Sequence, residues 1–163
     1  MRRFSSAAAV ATAAFLFGSV VHAQQLPTEY GMPITQAEAM KVAAAAQAKA
    51  VSLKIHAAIT IVGPSGDLVY FTKMDGTQYG SVAVSRSKAR TAVLFRRPSK
   101  AFEDVLAKGG PAITLLTLPN VIASAGGIPI VVSGKIVGAI GVSGAPKGSI
   151  DAEAAQAGAD AVK

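Results

Sequence analysis

The chain has 163 residues, is 51% hydrophobic, contains no cysteine or tryptophan and carries a formal charge of +7. Without cysteine there can be no disulfides, thiol catalysis, Cys-based zinc site or iron–sulfur cluster, so the apolar core must hold the fold unaided. The basic excess favours anionic ligands, but no aromatic-rich basic stretch offers a platform for stacking bases, and no nucleic-acid partner is expected.

Residues 1–23 read as a secretory signal peptide. Arg2 and Arg3 give a positive start, Ala7 to Val21 is a short apolar run, and Val21-His22-Ala23 places compact residues where a signal peptidase cuts. The run is shorter than the roughly 20 residues of a membrane span, and a retained anchor is the alternative reading. Cleavage after Ala23 removes two arginines, lowers the charge to +5, and leaves a periplasmic or secreted chain with no membrane span. What remains is enough for one domain with one core.

Residues 24–33, "QQLPTEYGMP", are polar with two prolines and read as an extended arm. Thr35 and Glu38 then have the capping-box spacing, and the Ala-rich run behind them predicts a helix from about Gln36 to Val51. Its alanines imply close packing against a sheet. "HAAITIV" switches to period two and predicts a strand, "GPSG" a turn and "DLVYFTKM" a second strand, together a hairpin. "DGTQYG" is a loop. "SVAVSRSKARTAVLF" returns to helical spacing, with Val82, Ala89 and Val93 on one side and Arg86, Arg90 and Arg97 forming a basic stripe. That stripe reads as a solvated face or as partners for acids across an oligomer interface. Pro98 breaks the helix. Ser99 is placed to cap a short helix, "KAFEDVLAK", that Gly109-Gly110 ends. "PAITLLTLPN" fits either a helical turn or an edge strand.

Residues 126–144, "GGIPIVVSGKIVGAIGVSG", hold six glycines. Neither G-x-G-x-x-G nor the phosphate-loop pattern is present. "IPIVV" and "KIVGAIGVS" predict two strands joined by a two-residue Ser133-Gly134 turn, which rules against a membrane helix. Alternation puts Ile136, Gly138, Ile140 and Val142 on one face and Val137, Ala139, Gly141 and Ser143 on the other. The second face is small, so a helix or another subunit can lie close to it. A last helix is predicted from about Asp151. Hairpins in place of βαβ crossovers imply an α+β domain, an antiparallel sheet flanked by helices, over residues 34–163.

"ITQAEA", "ITIVGPSGDLVYFTKMDG", "SKARTAVLFRRPS", the glycine-rich hairpin and "DAEAAQAGADAV" together, in this order, resemble the GlcG/HbpS family of haem-binding or haem-degrading proteins, related to the PduO C-terminal domain. The resemblance covers about residues 34 to 162. It implies a single profilin-like or PAS-like α+β domain and a homo-oligomer, dimeric or higher. It also implies a ligand: haem or a related tetrapyrrole, or, on the GlcG side, an enzyme or accessory role on a small hydroxy acid or carboxylate such as glycolate. Family members often carry Asp before the first hairpin turn; Gly63 stands there in this chain.

Six residues are candidate ligand contacts. His56, the only histidine after signal cleavage, suits haem iron as a neutral imidazole, or is a plain strand-start histidine. Met74 and Asp75, in "KMDG", match the family; Met74 reads as pocket lining, a second iron ligand or core, and Asp75-Gly76 also as ordinary turn chemistry. Lys88 stands beside an apolar stripe, where its ammonium would receive a ligand carboxylate or snorkel to a surface acid. Gly126 and Gly127 would offer N–H groups to an anion, or simply a tight strand entry. No catalytic set is found: His56 is alone, G-x-S-x-G is absent, and no acid pair has a workable spacing. A binding protein is expected in preference to a classical enzyme.

Overall fold

The computed structural model describes residues 27–163; the expected signal peptide lies outside these. Helix α1 spans Gln36–Ser52, and its Thr35–Glu38 capping box is complete. The Thr35 N–H donates to Glu38 Oε2 at 2.9 Å and the Glu38 N–H to Thr35 Oγ1 at 3.3 Å. The first of these, and after it the Thr35 hydroxyl's donation to the same Oε2 at 2.7 Å, hold the Glu38 carboxyl below its usual pKa. A lowered carboxyl pKa stabilises the fold above the ordinary carboxylate value, and that contribution disappears as pH falls. Thr35→Ala removes the N-cap oxygen and is expected to lose about 1 kcal/mol on that account; the loss is expected to shrink at acid pH, where Glu38 is protonated, as read by urea unfolding at two pH values.

Strands β1 (Ala58–Val62), β2 (Leu68–Lys73), β3 (Gly127–Val132) and β4 (Lys135–Ser143) form one antiparallel sheet in the order β2-β1-β4-β3. β1 is buried along its whole length, as a central strand covered on both faces must be. The hairpin turn is of the primed kind: Ser133 and Gly134 have φ of 49° and 75°, the conformation that matches strand twist.

Helix α2 (Gly80–Leu94) covers one face of the sheet; α1 and α4 (Gly148–Ala159) cover the other. The larger core joins Ile59, Ile61, Ile140 and Val142 to the alanines of α1 and α4. Those α1 alanines pack chiefly on α4, with the sheet a lesser neighbour. The smaller core, under α2, holds Val62, Ala89, Ala92, Val93, Ile136 and Ala139. The arm docks on β4 by β-type bonds beyond the end of β1, the Gly31 N–H donating to the Ile136 carbonyl and the Ile136 N–H to the Glu29 carbonyl, both at 2.8 Å, and on α2 by the Tyr30 hydroxyl, which donates to the Val93 carbonyl at 2.8 Å.

Several expectations need correction. Ile136 faces α2, and Val137 the opposite core, because the register slips: Ile130 pairs with Gly138 but Val131 with Ile136, leaving Val137 as a bulge that inverts the alternation. Val82 is exposed; the buried stripe of α2 is Ser81, Ser85, Lys88, Ala89 and Ala92. Ser99 does not cap helix α3 (Lys100–Leu106); its hydroxyl accepts the Gly127 N–H at 2.9 Å and donates to the Ser124 carbonyl at 2.6 Å. Of the two readings of "PAITLLTLPN" the helical one holds, since Gly110–Thr117 form a 3₁₀ helix. α4 begins three residues before Asp151, at Gly148. Among the described residues no helix is long and apolar enough to cross a membrane.

Candidate functional site

The six candidate residues divide between two places. His56, Met74 and Asp75 come together at one end of the β1–β2 hairpin. Strand pairing explains this: His56 precedes β1, Met74 follows β2, and the Met74 N–H donates to the Ala57 carbonyl at 3.0 Å. Met74 to Thr77 make a tight turn, with Gly76 at φ 76° and Thr77 bonded to the Met74 carbonyl through both its N–H (3.2 Å) and its hydroxyl (2.7 Å). Asp75 sits exposed in this turn; Met74 is half-buried against the larger core.

His56 is exposed and borders two open depressions. One, of about 390 Å³, is shared with Met74, Asp75, Lys73, Thr72 and Gln47. The other, of about 300 Å³, includes Lys54, Gly76 and Gly144. The Gly76 turn runs beside the imidazole, and Gly144 packs against the His56 backbone. A Cβ on Gly76 would stand 3.5 Å from His56 Nδ1, and a Cβ on Gly144 would overlap the His56 carbonyl oxygen. The arrangement offers one imidazole, a nearby thioether and a cation on each side.

Lys88, Gly126 and Gly127 meet in the interior instead. Lys88 is 2% exposed. Its ammonium lies 2.8 Å from Asp151 Oδ2 and donates to the Val142 carbonyl at 3.1 Å. It therefore neither snorkels to a surface acid nor stands open to a ligand: its carboxylate is supplied by α4. Asp151 Oδ1 also accepts the Ala145 N–H at 2.9 Å. Gly126, at φ 119°, is wedged against this pair: a Cβ there would stand 3.0 Å from Lys88 Nζ and 2.9 Å from Asp151 Cβ. The Gly127 N–H is committed to Ser99, so it cannot serve an outside anion. Beside the pair lies a buried polar layer. Thr60 and Ser85 hydroxyls are 2.8 Å apart, and the Ser143 hydroxyl donates to that of Ser81 at 3.4 Å.

Asp151 is the residue that the sequence did not reveal. Its place near a helix start reads as a dipole partner, and its true partner is 63 positions away. A second feature missed is a cleft of about 610 Å³ over α2, in which Tyr79 and Asn120 join Arg86 and Arg90.

An open α+β sheet with a helical layer on each face and small-residue contacts between layers defines the class to which the comparisons belong. Residues 34–160 match the family described as "Haem degrading protein HbpS-like", and this chain is a member of the HbpS-like family. It is 36% identical to Protein GlcG of Escherichia coli K12 over 68% of this chain and 81% of that protein. The crystal structure of HbpS is similar at a TM-score of 0.75 with 32% identity, covering 82% of this chain and 92% of that one. A PduOC–heme complex has a TM-score of 0.73 at 22% identity, covering 81% and 96%, and at that identity the likeness bears on the fold alone.

Proposed function

We propose that this protein is an exported, homo-oligomeric binder of haem or a related tetrapyrrole, with His56 as the iron ligand. The family description supports the ligand class. The observation that carries the site is the placement of His56: it is the one histidine among the described residues, it is exposed, and it stands between depressions flanked by Lys73 and Lys54.

The donor set fits such a ligand. A neutral imidazole binds haem iron, a thioether such as that of Met74 lines or ligates, and ammonium groups take the propionates. With Lys88 consumed by Asp151, Lys54 and Lys73 assume the propionate role. Asp75 borders the same depression and helps to shape its turn. Both depressions are open, so one chain shields one face of a macrocycle; a second copy shielding the other is the part an oligomer plays. Export rests on the character of residues 1–23, with Gln24 as the mature first residue, checked by intact mass.

The test is a haemin titration of the mature chain followed by absorbance, with His56→Ala alongside. A saturable, shifted Soret band that weakens or moves in the variant is the expected result. A spectrum equal to that of haemin with a neutral control protein rejects haem binding, and a band unchanged in His56→Ala removes His56 from the iron.

A further inference from the structure

The cleft over α2 shares no lining residue with the His56 depressions and has a different chemistry. Arg86 and Arg90 lie one turn apart on the same helix face, and both line it, with Ser87, Asn120, Tyr79, Val82 and Ala83. Two like charges at this spacing repel each other unless something neutralises them. None of the described residues does so. α2 carries no acidic residue, none lines the cleft, and among the described residues no ion pair involves an arginine.

Arg90 supplies a second observation. Its Nε is buried and has no hydrogen-bond partner, and it is the one such side-chain nitrogen or oxygen among the described residues. The Gly66 turn closes over it: a Cβ on Gly66 would stand 3.8 Å from both Cγ and Nε of Arg90, and 3.6 Å from Leu94. The guanidinium is thus partly stripped of water on its Gly66 side, and a charged donor in such surroundings binds an oxyanion more strongly than a solvated one.

The remaining wall is prepared in the same way. Asn120 has φ 61° and is held over the helix through Thr91, whose hydroxyl donates to the Asn120 carbonyl at 3.1 Å and accepts the Ile122 N–H at 2.9 Å. The Ser87 hydroxyl and the Asn120 amide are neutral hydrogen-bonding groups for an anion. Tyr79, 89% exposed, joins Val82 and Ala83 in presenting apolar surface next to the charges.

We propose that this cleft is a binding site for a small organic carboxylate, with the Arg86–Arg90 pair gripping the carboxylate and Tyr79, Val82 and Ala83 receiving its apolar body. The apolar wall is what separates such a ligand from inorganic phosphate, which would leave that surface wet. The site has no lining residue in common with the haem reading, and the two touch only where Lys73 Nζ lies 6.0 Å from the centre of the Tyr79 ring.

The probe is hexanoate, titrated into the ¹⁵N-labelled mature chain, with hexanamide and inorganic phosphate in parallel. Hexanoate is expected to move the amide signals of residues 79–90 and 120 saturably, and hexanamide to leave them in place. Arg90→Gln and Arg86→Gln are each expected to weaken hexanoate binding by about tenfold or more, while Lys41→Gln on α1 leaves it unchanged. Arg86 is exposed, so its variant reports even if Arg90→Gln loosens the fold. The site is rejected if hexanoate moves nothing, if hexanamide moves the same signals equally, or if both arginine variants bind as the wild type does. Phosphate binding as tightly as hexanoate overturns the organic-acid assignment. Signals that respond to protein concentration and not to hexanoate make the cleft an interface between copies, and also overturn it.

Discussion

Lys88→Met is expected to destabilise the folded chain by about 3–5 kcal/mol, the loss typical of a buried ion pair broken from one side. The substitution keeps most of the unbranched stem, so packing along α2 survives. What it removes is the cation paired with Asp151, whose carboxylate is then left in the interior with the Ala145 N–H as its remaining hydrogen-bond donor among the described residues. The Val142 carbonyl loses a donor as well, though that oxygen lies in a strand that stays paired. Single domains of this size are stable by about 5–15 kcal/mol in all, so the variant is expected to unfold at a much lower urea midpoint.

The companion variants show whether the pair acts as a unit. Asp151→Asn keeps an oxygen for the Ala145 N–H but leaves the Lys88 ammonium without a countercharge. The double variant, Lys88→Met with Asp151→Asn, buries no charge at all. Its loss is expected to fall short of the sum of the two single losses by about 1–3 kcal/mol. Urea unfolding at neutral pH, followed by circular dichroism, measures all four proteins. A Lys88→Met midpoint close to wild type, or single losses that simply add, would mean that water reaches this junction and the pair contributes little.

The same junction marks where sequence reading stops. Local signals were sufficient for the capping box at Thr35 and Glu38, for the Ser133-Gly134 turn and for the two hairpins, because each depends on residues close together in the chain. The meeting of His56 with Met74 and Asp75 was legible on the same ground, since antiparallel pairing of β1 and β2 returns the end of one strand to the start of the other. Lys88 with Asp151 is different. Nothing within a helical turn of either residue names the other, and an acid near a helix start has a sufficient local explanation. The buried serines of α2 were hidden because serine reads as polar; here Ser85 bonds to Thr60 and Ser81 to Ser143 between layers. The bulge at Val137 was hidden because one extra residue leaves no mark on a run of alternating aliphatics, yet it exchanges the faces of Ile136 and Val137.

Gly141→Ala is expected to lose at least about 3 kcal/mol, the upper part of the range for overpacking, because the obstacle is backbone. A Cβ on Gly141 would overlap the Ser85 carbonyl oxygen and stand 2.6 Å from the Ala89 nitrogen, so no rotamer change relieves it. α2 would have to lift from β4, drawing Ala89, Ala92 and Val93 off the smaller core and stretching the bond between Thr60 and Ser85. Lys88 sits on the same helix face, so the movement also pulls on the buried ion pair. Gly80→Ala is the matched control: it adds the same methyl group to the first residue of α2, where nothing stands within 4 Å, and is expected to be neutral or mildly stabilising. Thermal unfolding of the two variants decides the matter. If Gly141→Ala melts with wild type, α2 does not lie on β4 as closely as the bare backbone there allows, and the small face of β4 has some other purpose.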